Sequence, residues 1–173
     1  MSATKESSAV EGATGIGGKF LTFFLAEEEY GVEILKVHEI IGLLPITRVP
    51  RTPSFIRGVV NLRGRVIPIV DLRLKFGMEG KEATEETCIV VVQVQGVQTG
   101  LIVDRVNEVL DIADGDVEDA PNFGTDVHTE YLLGIAKTGG RVRLLLDIDR
   151  VLSENEVIHL HGAGAAAAEG AAG

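Results

Sequence analysis

The chain repeats itself, and that repeat constrains its fold more than any other feature. Residues 55–73, FIRGVVNLRGRVIPIVDLR, lie without a gap on residues 131–149, YLLGIAKTGGRVRLLLDID. The shared positions are structural punctuation: Gly58 with Gly134, Gly64 with Gly140, Arg65-Val66 with Arg141-Val142, and Asp71 with Asp147. A fainter echo precedes each copy, with Gly31 to Ile41 matching Gly100 to Leu110. Two similar small units therefore make up the body of the protein. Such a duplicated scaffold presents surfaces more readily than it converges on one catalytic set.

Within each copy a glycine-containing turn separates two apolar runs. Leu62-Arg63-Gly64 and Thr138-Gly139-Gly140 supply the positive-φ residue that a tight hairpin requires. Asp71 and Asp147 each end an apolar run and read as N-caps of a short helix, with Gly77 as the stop of the first. Pro68 inside its run points to an edge strand or a bulge. Phe20 to Leu25 and Cys88 to Val94 are further strands, the latter forming a hairpin with Thr99 to Val103 through Gln95 to Gln98. Glu27-Glu28-Glu29 reads as a solvent-facing hairpin tip. The stretch from Ile34 to Leu44 fits a short helix or a bent strand, and the sequence leaves both open. About five short strands per half make a small barrel the economical reading of each.

The first 18 residues and the last dozen are poor in large apolar side chains. We therefore expect a flexible leader at 1–18, a folded body at 19–160 and a flexible Gly/Ala tail at 161–173. Within the body the halves divide at about 19–86 and 87–155, with intertwining allowed. A body of this size buries roughly two-thirds of its unfolded surface, and 45% hydrophobic residues suffice for it. The opening residues lack the apolar core of a secretory signal, and one cysteine, Cys88, closes no internal disulfide; both lead us to expect a cytoplasmic protein. The run from Thr87 to Val103 contains three Gln and two Gly, so direct membrane insertion is not expected.

Net charge is −10, but it is unevenly spread. Arg48 to Lys75 holds seven basic residues and one acid, while Asp104 to Asp119 holds seven acids and Arg105. The basic segment has few aromatics and sits in an acidic protein, which argues against nucleic acid as a partner. It leaves either a solvated face or a dock for an acidic protein.

Enzyme signatures fail. The glycines before Lys19 lack phosphate-loop spacing, and Phe20 stands where Ser or Thr should hold magnesium. Cys88 lies in an apolar run and reads as a buried, inert thiol. His38 has no nucleophile spaced to accompany it, and His159 with His161 make only two ligands. The acids from Asp111 to Asp119 lack the order of a calcium loop. We expect no cofactor, no metal site and no enzymatic activity.

Residues 53–77, PSFIRGVVNLRGRVIPIVDLRLKFG, strongly resemble the hallmark of the CheW family, the coupling proteins of bacterial chemotaxis. Tyr30 to Ile40 and Thr129 to Gly134 extend the resemblance, which covers about Lys19 to Glu154. It implies a mainly β fold: two SH3-like five-stranded β-barrels sharing a hydrophobic core, with a few short helices. It implies an adaptor whose partners are the cytoplasmic tip of methyl-accepting chemoreceptors and the regulatory domain of the histidine kinase CheA, within membrane-associated arrays. The family's receptor-facing positions match Val37, Glu39 and Arg63, and its kinase-facing side matches Arg57, Gly58 and the loop aromatic Phe123. A coupling protein of a twitching, gliding or other chemosensory pathway is the alternative.

Overall fold

The computed structural model describes residues 17–119, 131–152 and 156. Its elements follow the sequence runs closely. In order they are β1 (Gly18–Leu25), β2 (Glu28–Glu33), a 3-10 turn (Ile34–Lys36), β3 (Val37–Gly42), β4 (Ile56–Leu62), β5 (Arg65–Asp71), helix α1 (Leu72–Lys75) and β6 (Cys88–Val94). Next come β7 (Val97–Val103), β8 (Arg105–Ile112), a second 3-10 turn (Asp114–Asp116), β9 (Val117–Glu118), β10 (Leu132–Thr138) and β11 (Arg141–Leu146). Among the described residues no helix is long and apolar enough to cross a membrane.

Two sheets form, ordered β3-β6-β7-β5-β4 and β8-β1-β2-β11-β10-β9. Each curls into a small SH3-like barrel, as the resemblance implied. The repeat is visible as matched ladders: Ile69 sits opposite Gly100 where parallel β5 and β7 pair, and Leu145 sits opposite Gly31 where β11 and β2 pair. The hairpins β1–β2 and β6–β7 then trade their continuations. β3 leaves its own hairpin to pair with β6, and β8 leaves its own to pair with β1.

The glycines common to both copies mark close approaches of backbone. A Cβ on Gly58, at φ +143°, would lie 2.0 Å from the Thr47 carbonyl oxygen, where Thr47 bridges Val59. Gly134 would put a Cβ 2.8 Å from the Glu118 carbonyl oxygen, where β9 crosses β10 in the same way. The shared aspartates close equivalent corners. Asp71 N–H donates to Phe55 O at 2.7 Å and Asp147 N–H to Tyr131 O at 2.8 Å.

Asp71 caps α1 as expected, accepting from Leu74 N–H at 3.3 Å, and Gly77 ends the helix at φ +79°. Asp147 starts a turn over Ile148 to Arg150, accepting from Asp149 N–H at 3.0 Å, where the first copy has its helix. Ile34 to Leu44 resolves into a 3-10 turn followed by strand, so both readings held in part.

Pro68 corrects an expectation. Its strand β5 is interior, between β7 and β4. The proline is tolerated because the β7 ladder starts one residue later, at Ile69. Its partner Val59 spends its N–H and carbonyl on Thr47, so no bond to β4 is lost either. A bulge lies nearby, between Ile56 and Gly58.

Three apolar clusters hold the fold. One fills the first barrel around Val60, Ile67, Ile69, Ile89 and Val91. Another fills the second around Phe20, Ile112, Val117, Ala136 and Leu145. The largest joins both sheets, with Leu21, Phe23 and Val32 meeting Val70, Leu72, Val92 and Leu101. A stacked aromatic series, Phe23, Tyr30, Phe76 and Tyr131, runs through it with centroid separations of 5.9, 5.7 and 4.9 Å. Burying this seam at about 25 cal/mol per Å² stabilises the two barrels as one body.

Candidate functional site

The β4–β5 hairpin ends in a two-residue turn in which both central residues have positive φ: Arg63 at +53° and Gly64 at +87°. This is the turn whose twist suits a hairpin, and Asn61 Oδ1 supports it by accepting from Gly64 N–H at 2.8 Å. For a side chain as large as arginine that backbone conformation costs about 1–2 kcal/mol. The equivalent turn of the second copy has Gly139 at +59° and Gly140 at +74°, where no such cost arises. Ala26 and Gln95 take the same positive φ, +57° and +47°, at the β1–β2 and β6–β7 tips, so what sets Arg63 apart is the charged side chain it exposes.

That side chain turns toward β3. Arg63 Nη2 pairs with Glu39 Oε2, with the Arg63 side chain 67% exposed and Glu39 30% exposed. Val37 lies two residues earlier on β3. Alternation along the strand puts Val37, Glu39 and Ile41 on its more buried face, and Val37 packs against the shared core while staying partly accessible. A register shift between Val37 and Glu39 marks a bulge at this point of the β3–β6 ladder. Thus Glu39 and Arg63, 24 residues apart in sequence, are brought together, with Val37 beside them. The exposed Ile40 and Leu43 add apolar surface on and after β3, which the sequence reading passed over.

Arg57 and Gly58 lie elsewhere. They begin β4, and Arg63 follows its end, about 20 Å away at strand rise. Arg57 Nη1 donates to the buried Asp71 Oδ2 at 3.0 Å and lines an open groove of about 830 Å³ with Arg48 and Arg51. Gly58 is buried beneath Thr47, so its glycine is explained by packing alone. Phe123 falls outside the described residues, as do His159 and His161.

Several ionic contacts went unread in the sequence. Arg73 clasps Asp104 through Nε–Oδ1 at 2.8 Å and Nη2–Oδ2 at 2.5 Å, and Asp104 also accepts Ala26 N–H at 2.7 Å. Burial pushes the Asp104 carboxyl up, but Arg73 and Ala26 outweigh it and hold it below its ordinary value. Lys36 Nζ reaches Asp149 at 3.1 Å, and Gln95 N–H donates to the same carboxylate at 3.0 Å. The Gln95 bond and Lys36 keep that carboxyl low against opposing burial.

Glu27 and Glu28 are exposed at the tip as read, but Glu29 is not. The turn is Ala26-Glu27, and Glu29 lies within β2, only 4% exposed. Its carboxylate meets Arg143 Nε at 3.1 Å and Arg141 Nη2 at 2.9 Å, and accepts from Asn107 Nδ2 at 2.9 Å. Burial raises its affinity for a proton; Asn107, Thr22 and Arg143 overcome that and leave it depressed. Glu29 Oε1 and Arg143 Nε nonetheless lack an aligned hydrogen bond, so their contacts are Coulombic. Cys88 is half-buried rather than fully enclosed, and burial pushes its thiol up, away from the reactive thiolate.

Two pseudo-equivalent barrels, fused through one core and differing at one charged hairpin tip, define a duplicated β-barrel scaffold. Residues 19–156 match the CheW-like domain model, and the chain belongs to that family of chemotaxis scaffolds. It is 43% identical to "Chemotaxis protein CheW" of Klebsiella aerogenes over 142 residues, spanning 82% of this chain and 86% of that protein. With "Chemotaxis protein CheW" of Rhizobium meliloti it shares 34% identity, over 87% of this chain and 97% of that one. It is also similar to the crystal structure of the scaffolding protein TtCheW from Thermoanaerobacter tengcongensis, with a TM-score of 0.73 at 36% identity, covering 82% and 96% of the two chains.

Proposed function

We propose that this protein is a non-enzymatic adaptor that couples the cytoplasmic tips of methyl-accepting chemoreceptors to the regulatory domain of the histidine kinase CheA. The observation that carries this reading is the Arg63–Glu39 pair, held at an exposed turn in a conformation that glycine would adopt more cheaply. Arg63 offers a planar, multi-donor group to a polar receptor tip, Glu39 orients it, and Val37 supplies apolar contact beside them. Arg57, Gly58 and Phe123 belong to the kinase-facing side, with Gly58 acting through the backbone it allows to cross. Separate faces let one body hold both partners in a cytoplasmic, array-recruited assembly.

Receptor, kinase and this protein mixed together provide the test, with kinase activation and pairwise binding as readouts. The protein binds each partner with a Kd on the order of 10 μM or tighter. Arg63→Glu weakens the receptor contact at least about tenfold, or about 1.4 kcal/mol, and leaves kinase binding intact. Equal loss of both would remove the receptor assignment of Arg63, and failure of the unaltered protein to bind either partner would overturn the proposal.

A further inference from the structure

Duplication creates a hazard for this fold. Each repeat core, β4–β5 or β10–β11, must find one of two similar hairpins, β6–β7 or β1–β2. Main-chain bonding does not distinguish them. Ile69 opposite Gly100 and Leu145 opposite Gly31 are equivalent pairs, so exchanged cores would keep the same parallel register. The discrimination must come from side chains that differ between the halves.

Three ionic contacts sit where a core meets its own hairpin. Arg143 of β11 lies opposite Glu29 of β2. At the matching places in the first barrel stand Ile67 and Gln98, both uncharged. Exchange would press the Glu29 carboxylate toward Ile67 and leave the Arg143 guanidinium facing Gln98. Arg143 is buried, at 5% exposure, so it would lose its counter-charge inside the protein, while Glu29 would keep only the cation at the Arg141 position, which is Arg65 in the first core. The other two contacts are the clasps that follow each core, and their signs are opposed. After β5 the core contributes the cation, Arg73, to Asp104; after β11 the equivalent position is the anion, Asp149, and it meets Lys36. Exchange would bring Arg73 to Leu35, the equivalent of Asp104 and next to Lys36, so its bidentate pair would be lost; Asp149 would meet Arg105, the equivalent of Lys36, and keep a cation.

We infer that the Glu29–Arg143 and Arg73–Asp104 pairs are a pairing key, which selects the native union of hairpin and core over the exchanged chain and over core-exchanged dimers. The imperfect bonding of the Glu29–Arg143 contact fits this role. Arg143 Nε has no aligned partner, so the contact is poorly optimised for stability, whereas its position is informative. Glu29, Arg143, Arg73 and Asp104 therefore direct assembly rather than contact a partner protein.

Refolding of the full chain from denaturant tests the key, in a Cys88→Ala background carrying reporter cysteines. Gly31→Cys with Leu145→Cys reports native pairing, since these residues face each other across β2 and β11. Gly31→Cys with Ile69→Cys reports exchange, since Ile69 is the equivalent of Leu145 in the first core and lies in a separate apolar cluster in the native fold. With the charges intact, only the native link forms and the product is monomeric by light scattering. Removing the buried pair with Glu29→Gln and Arg143→Met raises the exchanged link or the dimer at least about tenfold, a loss of bias of about 1.4 kcal/mol. Arg73→Glu does the same, and adding Asp104→Arg restores native pairing. Unchanged link ratios in both charge-altered chains overturn the inference. If Glu29→Gln with Arg143→Met does not refold, rescue of Arg73→Glu by Asp104→Arg decides the matter, and absence of rescue overturns it.

Discussion

The two barrels share a ladder but not an interior. Where the first places Ile67 among Ile69, Ile89 and Val91, the second places Arg143 against Glu29. Their hairpin tips differ in the opposite sense: the first carries a strained, charged Arg63 and the second a relaxed Gly139. One barrel is thus apolar within and charged at its tip, while the other is charged within and plain at its tip. After duplication, backbone hydrogen bonding preserved the frame, and side chains were free to divide the tasks of recognition and assembly between the copies.

Removing the interior charge of the second barrel should break this comparison most severely. Glu29→Ala leaves Arg143 buried without its carboxylate, and we expect a loss of about 3–5 kcal/mol in urea unfolding. The corresponding change in the first barrel, Gln98→Ala, alters no charge and should cost about 1 kcal/mol. Next come the matched glycines. Gly58→Ala must fit a Cβ 2.0 Å from a carbonyl oxygen at positive φ, for a loss of about 2–4 kcal/mol. Gly134→Ala, with 2.8 Å, should cost less. Equal losses would show that the two crossings are equally tight.

Acid separates the barrels more gently. Glu29 has a folded pKa below its ordinary value of 4.5, so it binds fewer protons folded than unfolded near that pH. Its contribution is therefore complete above pH 4.5 and is lost as pH falls through the depressed folded value. Asp104 and Asp149 behave likewise below 3.8. Unfolding followed from pH 7 to 3 should show stability falling over this range, with a shallower fall in Glu29→Gln. An unchanged slope would remove Glu29 from the account. The smallest effect is expected at the tip. Arg63→Gly gives the first turn the sequence of the second and relieves the left-handed strain, while losing an exposed ion pair worth about 0–1 kcal/mol. Stability should stay level or rise by about 1 kcal/mol even as receptor binding falls.

Much of this was legible in the primary structure because it is written locally. The positive-φ turns, the Asp71 cap and the Gly77 stop depend on residues within a few positions of each other, as did the strand at Cys88–Val94. The proximity of Arg63 and Glu39 was foreshadowed only by family resemblance. Glu29 was misread because an acid next to two others near a turn looks solvated, and nothing nearby names its partner. A usable signal existed in Arg141-Val142-Arg143-Leu144: Arg143 occupies the parity of Ile67 and so had to face inward with a counter-charge. Asp147 was assigned a helix on the strength of its repeat partner, yet Asp149-Arg150 sends the chain into a turn tied to Lys36 and Gln95.

By itself the sequence determined that there are two copies of one β unit, where each turns, which positions face the core, and to which family the chain belongs. Tertiary structure alone decided that β3 and β8 cross between the sheets, and that Glu29 meets Arg143, Arg73 meets Asp104 and Lys36 meets Asp149. The reason is physical. A turn or a cap is fixed by backbone geometry within a few residues, but these ion pairs span 31 to 114 positions, and the backbone pattern fits either partner equally well. Only the packed molecule, where an unpaired buried charge is costly, makes one choice the stable one.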